Sequence, residues 1–83
     1  MEKFFKIVLL KEVEKFILNL NIQDQEKISG SIDTLKNKKF ENVYIKQLRE
    51  EIKELRVKKY RLIFFIHQEI VYISKIFIKK RTG

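Results

Sequence analysis

The sequence predicts an α+β fold, with an N-terminal strand, a two-helix hairpin and then an antiparallel three-strand meander, the helices lying on one face of the sheet. Three observations predict it. Apolar residues at Leu10, Val13, Phe16, Ile17 and Leu20 follow the three-and-four spacing of one helical face. From Ile52 onward the chain breaks into short runs rich in β-branched and aromatic residues, joined by pairs of polar residues. Finally, 83 residues with 45% hydrophobic and 36% charged side chains suffice for one modest core, so residues 1–83 form a single domain.

The elements follow in order. Phe4 to Leu9 is short and rich in β-branched and aromatic residues, as a first strand requires. The amphipathic helix from Leu10 to Leu20 ends where Asn19, Asn21 and Asp24 compete for backbone hydrogen bonds. Asp24 is expected to open a second helix, carrying Ile28, Ile32, Leu35 and Phe40 inward. Gly30 falls inside it at a cost of about 1 kcal/mol relative to Ala, and close packing of the two helices is the expected reason for a glycine there. Lys36, Lys38 and Lys39 suit the negative end of the helix dipole. A polar connection at Glu41-Asn42 and a segment from Tyr44 to Leu48 lead to strands at Ile52–Val57, Tyr60–His67 and Ile70–Ile78. The result is a four-stranded sheet whose second face stays partly open.

Nineteen Lys and Arg against eleven Asp and Glu give a net charge of +8 and a pI near 9.8, a field that draws phosphate backbones and acidic proteins alike. An excess of lysine also keeps a small protein in solution, so the charge by itself selects no partner. Cysteine is absent, which removes disulfides and thiolate metal sites. No apolar run approaches the ~20 residues of a membrane span and the N-terminus lacks the apolar stretch of a secretory leader, so no membrane partner is expected and the cytoplasm is the expected compartment. There is no glycine-rich phosphate loop, metal-ligand spacing or serine or cysteine nucleophile motif. Any enzymatic activity is therefore expected to run without metal or cofactor.

Period-two reasoning places Leu55 and Val57 on the covered face and Arg56 on the open one. Arg61 shares a face with Ile63, Phe65 and His67. On the last strand, Val71, Ile73, Lys75, Phe77 and Lys79 form the set expected on the open face. With Lys80 and Arg81 they make a cationic cluster beside Phe65 and Phe77, suited to holding a phosphate and stacking a base. His67, the single histidine, is of the side-chain type used for acid–base work but lies at the mouth of a tight turn, and a surface or turn role is the expectation for it. Glu50, Glu51 and Glu54 stand among Arg49, Lys53 and Arg56 and are expected to form solvated ion pairs.

The stretch Lys53-Glu54-Leu55-Arg56-Val57-Lys58-Lys59-Tyr60-Arg61-Leu62-Ile63-Phe64, followed by Lys75-Ile76-Phe77-Ile78-Lys79-Lys80, resembles the RelE/ParE toxin superfamily of bacterial toxin–antitoxin systems, particularly its HigB-like and phage-derived members. Their pattern is an E-L-R strand, a Y-R-hydrophobic strand and a last strand ending F-hydrophobic-K-K, behind a helical hairpin. The resemblance implies an endoribonuclease that cleaves messenger RNA on the ribosome and pairs with a cognate antitoxin in a hetero-oligomer. It implies catalytic roles for Arg61, as phosphate and transition-state ligand, and for Arg56, Lys79 and Lys80. Lys58, Lys59, Lys75, Phe77 and Arg81 are the expected RNA contacts, and Lys58 or Lys59 stands in for a general base that the resemblance does not identify. ParE-like members of the same fold instead poison DNA gyrase, and an inactive module that only binds antitoxin is a third reading. Relatives usually add a C-terminal helix, which the ending Arg81-Thr82-Gly83 leads one to expect is lacking here.

Overall fold

The computed structural model describes residues 4–80. Strand β1 (Lys6–Leu9) leads into helices α1 (Lys11–Leu18) and α2 (Ile22–Lys36). A single 3₁₀ turn at Phe40–Asn42 precedes strands β2 (Tyr44–Arg49), β3 (Ile52–Val57), β4 (Tyr60–His67) and β5 (Ile70–Ile78). The five strands form one sheet in the order β1-β5-β4-β3-β2. β1 runs parallel to β5 and every other pair is antiparallel. The α+β class and the helical hairpin are as the sequence predicts, with one strand more.

The extra strand is Tyr44–Arg49, read from sequence only as a connecting segment. Ile45 is its only half-buried residue, the rest being exposed, so the apolar alternation that marks a half-buried strand is missing. Pairing with β3 fixes it at the sheet edge.

The helices start and stop for local reasons. α1 carries Glu12 and Glu14 in its first turn, which favours the positive end of the helix dipole, and seals Val13 in the core. α2 begins at Ile22 rather than Asp24, because Asn21 is the cap: its Oδ1 accepts the Asp24 N–H at 2.8 Å. Ile28 and Leu35 are fully buried beneath it. The helix ends through Lys38, which adopts a left-handed φ of 62° without being glycine. Phe40 lies beyond that end, partly exposed and stacked on Phe5, instead of pointing inward from the helix. Gly30 is not at a close approach either, since a Cβ there would meet nothing within 4 Å.

The core lies between the helices and one sheet face. Directly paired residues Leu55, Leu62 and Ile76 form one buried row, and Phe64 and Ile73 belong to the next. Along β5 the alternation breaks. Ile63 pairs with Lys75 but Phe64 pairs with Ile73, leaving Ser74 as a bulge. Its Oγ donates to the Ile63 carbonyl at 3.3 Å. One extra residue exchanges the faces, so Val71 and Ile73, expected on the open face, are fully buried, whereas Lys75 and Phe77 lie where expected. Tyr72 correspondingly reaches the open face, where it stacks on Phe65 at 5.1 Å.

Candidate nucleic-acid interface

The face without helices carries a continuous row across four strands. Tyr44 pairs with Arg56, Arg56 with Arg61, and Arg61 with Phe77. Directly opposed side chains share a face with Cβ atoms about 5 Å apart, so two arginines sit side by side with an aromatic ring at each end. A second row runs alongside it through Lys46, Glu54, Ile63 and Lys75. Beyond that the face turns apolar, with Phe65, Tyr72 and Val8 in register. One half thus offers charge and ring edges, and the other offers apolar surface.

Like charges opposed across strands repel, and the two arginines are held in place by different partners. Arg56 donates from Nε to Glu54 Oε1 at 3.1 Å, and its guanidinium lies 4.7 Å from the Tyr44 ring centre. Arg61 turns back on the β3–β4 turn, where its Nη1 donates to the carbonyls of Lys58 and Tyr60, both at 2.9 Å. These two bonds occupy one nitrogen. The remaining N–H groups of the planar fork are left for an anion, which guanidinium binds through paired donors.

Glu54 is only 9% exposed although it lies on the open face, so the carboxylate half of its ion pair with Arg56 is enclosed, where the sequence leads one to expect a fully solvated pair, while the Arg56 side chain stays 30% exposed. Its arginine partner uses Oε1 alone among the described residues. Its second oxygen, Oε2, faces the row without a hydrogen-bond partner among the described residues. Tyr44, 60% exposed, supplies a ring for stacking. Little in the local sequence marks either residue: Glu54 stands in a crowd of charges, and Tyr44 stands on a strand without alternation.

Of the residues singled out in the sequence, Arg56, Arg61, Lys75 and Phe77 come together on this face. Lys79 and Lys80 follow β5 as exposed residues, and the Lys79 N–H donates to the Lys59 carbonyl at 2.7 Å, which keeps them beside the β3–β4 turn. Lys59 is exposed in that turn, its ammonium 5.7 Å from the Tyr60 ring centre. Lys58 departs from the group. Its Nζ reaches Asp24 Oδ1 at 3.2 Å on the helix side of the sheet. Arg81 lies outside the described residues. His67 is exposed at the far end of β4 from Arg61, close to ~20 Å along an extended chain. Among the described residues no group of His, Asp and Glu is gathered to hold a metal, and no helix is long and apolar enough to cross a membrane.

Behind the sheet, Asp24 is 7% exposed and binds three partners. Tyr60 Oη donates to its Oδ2 at 2.5 Å, Lys58 to its Oδ1, and Asn21 Nδ2 lies 3.4 Å from Oδ2. The Tyr60 hydrogen bond, and next the Lys58 ammonium, hold the Asp24 carboxyl below its ordinary value against the opposing effect of burial. The same hydrogen bond, with burial, raises the Tyr60 phenol.

Comparison with known proteins gives a family and a fold. The family model described as Phage derived protein Gp49-like (DUF891) matches residues 15–83. Among solved structures, the chain is similar to one in the archaeal RelE-RelB complex from Pyrococcus horikoshii OT3, with a TM-score of 0.75 at 18% identity, covering 95% of this chain and 99% of that one. It is also similar to a chain of the RelB-RelE antitoxin-toxin complex from Methanococcus jannaschii, with a TM-score of 0.69 at 15% identity over 86% of this chain and 88% of that one. No curated protein matches the sequence. At these identities the structural likeness establishes the shared fold, and with the family match it bears out the resemblance seen in the sequence.

Proposed function

Because the chain belongs to the Gp49-like family of phage-derived proteins, we propose that it is the toxin of a toxin–antitoxin pair, an endoribonuclease that cleaves messenger RNA on cytoplasmic ribosomes. The observation that carries this reading is the row Tyr44, Arg56, Arg61, Phe77 with Glu54 enclosed beside it. Cleavage of RNA needs a base for the 2′-hydroxyl, positive charge on the phosphate as it becomes five-coordinate, and a proton for the departing 5′-oxygen. Arg61 holds the phosphate oxygens, with Arg56, tied to Glu54, beside it. Glu54 takes the 2′-proton as the 2′-oxygen attacks phosphorus and the bond to the 5′-oxygen breaks. Lys75, Lys79 and Lys80 are the cations on the side of Arg61 toward β5, available to the leaving oxygen. Phe77 and Tyr44 bracket the phosphate with surfaces on which the flanking bases stack.

The partner is a protein segment of complementary character. It lays acidic side chains along the arginine row and apolar ones over Ile63, Phe65 and Tyr72, covering surface that a lone monomer leaves uncovered. That the chain is similar to a member of an antitoxin-toxin complex supports this reading.

The test is primer extension on a translated message with purified ribosomes, comparing the protein with Arg61→Ala and Arg61→Lys and checking that each variant melts above the assay temperature. Cuts within codons are expected from the parent and none from Arg61→Ala. A folded parent that leaves the message intact refutes the nuclease reading, and a gyrase supercoiling assay then decides for or against the ParE-like activity.

A further inference from the structure

The β3–β4 turn is held from both faces of the sheet. On the open face, the carbonyls of Lys58 and Tyr60 each accept a hydrogen bond from Arg61 Nη1 at 2.9 Å. On the helix face, the side chains of the same two residues converge on the Asp24 carboxylate, the Tyr60 hydroxyl at 2.5 Å and the Lys58 ammonium at 3.2 Å. Asp24 is in turn fixed in the first turn of α2, where its N–H is bound by the Asn21 cap. Lys58 holds a left-handed φ of 55°, a conformation that a lysine does not adopt by preference, so the turn owes its shape to what grips it.

We propose that Asp24, Tyr60 and Lys58 form a positioning device that sets the Arg61 guanidinium from the opposite side of the sheet. This rests on the reading of Arg61 as the phosphate ligand. Lys58 and Tyr60 bridge the two sides directly, each bonding Asp24 through its side chain and Arg61 through its carbonyl. Loosening the helix-side grip lets the two carbonyls rotate, and the arginine they orient moves with them. The device explains why a carboxylate with so little exposure is present on the helix side: its Tyr60 and Lys58 bonds lock turn residues whose own contribution to the open face is backbone carbonyls. None of the three touches the substrate.

The variants are Tyr60→Phe, which removes one hydroxyl and keeps the ring, and Lys58→Met, whose half-exposed side chain carries the test if Tyr60→Phe unfolds. Two readouts apply. In single-turnover cleavage of ribosome-bound message, the maximal rate is expected to fall on the order of tenfold to a hundredfold, the scale of a reacting group misplaced by about an ångström. The concentration giving half the maximal rate stays unchanged, and Lys58→Arg restores the rate. In side-chain ¹⁵N NMR of the free protein, the Arg61 guanidinium resonances are expected to shift or average in both variants while core methyl resonances stay in place. Unchanged Arg61 resonances in a folded variant overturn the proposal, as does a variant with full cleavage rate. If the parent protein does not cleave at all, the nuclease reading falls and the NMR comparison alone decides whether the coupling exists.

Discussion

Replacing Glu54 by glutamine should move binding and cleavage in opposite directions. In the native protein Arg56 is tied to Glu54, whereas Lys46, Arg61 and Lys75 on the same two rows have no carboxylate partner among the described residues. A single strand bound through those three releases counterions with a slope of log K against log salt of about −2, at roughly −0.7 per phosphate contact. Glutamine keeps the volume of Glu54 but frees the Arg56 charge. The slope should steepen by about 0.7, which is a gain of about fivefold in affinity at 0.1 M salt relative to the value extrapolated to 1 M. Lys79 and Lys80 add equally to both proteins, so the difference between them is the quantity to read. Cleavage should meanwhile fall by about 10²- to 10⁴-fold, the range for loss of a general base. Fluorescence anisotropy of a labelled, non-cleavable oligonucleotide across a salt series measures the first effect, and primer extension measures the second. A variant that cleaves at the parental rate removes Glu54 as the base. One that binds with an unchanged slope shows that Glu54 does not mask Arg56.

Three further outcomes are expected. Gly30→Ala should stabilise the protein by about 1 kcal/mol, because the helix gains the propensity difference and the new methyl meets nothing; thermal melting should rise by about 4–8 °C, and a fall would show that α2 is packed at Gly30 in solution. The depressed Asp24 carboxyl contributes stability above its ordinary value of 3.8, lost as pH falls through the lower folded value, while the raised Tyr60 phenol contributes stability below 10.0, lost as pH rises toward its higher folded value. Urea titrations over pH should therefore show Asp24→Asn flattening the acid limb and Tyr60→Phe the alkaline limb, and parallel curves would refute the linkage. Tyr44→Ala should weaken oligonucleotide binding by about 1–3 kcal/mol, the scale of one stacked base; equal affinity by anisotropy would take Tyr44 out of the interface.

Much of this architecture is legible in the sequence because apolar periodicity is a local property. Period two along β3 separates Leu55 and Val57 from Arg56, and along β4 it groups Arg61 with Ile63 and Phe65. The nearly continuous apolar run of β4, however, reads as a strand covered on both faces, and only the pairing of Arg56 with Arg61 shows that they share the open one. Alternation fails where the chain departs from regularity without announcing it. The bulge at Ser74 has no glycine or proline to mark it, and it exchanges the faces of Val71 and Ile73 with that of Tyr72. The edge strand Tyr44–Arg49 lacks the alternation by which strands are recognised. Turns at Glu50, Lys58, Gln68 and Glu69 all hold positive φ without glycine, so the usual punctuation is absent. The Asp24–Tyr60 hydrogen bond joins residues far apart in the chain, and nothing in the neighbourhood of either points to the other. Glu54 illustrates a further limit, since composition shows that a carboxylate has cationic neighbours but not that the sheet encloses it.

The pairing of β1 with β5 has a consequence for how the protein comes into being. β1 has one sheet neighbour, residues 6–9 against 70–73, so most of the chain lies between the partners. Contacts that close such long loops form late, and a chain made from its N-terminus cannot form this one before its final strand exists. The arginine row also waits, because Phe77 closes it. Chains released before β5 is made therefore lack both the partner of β1 and the end of the row.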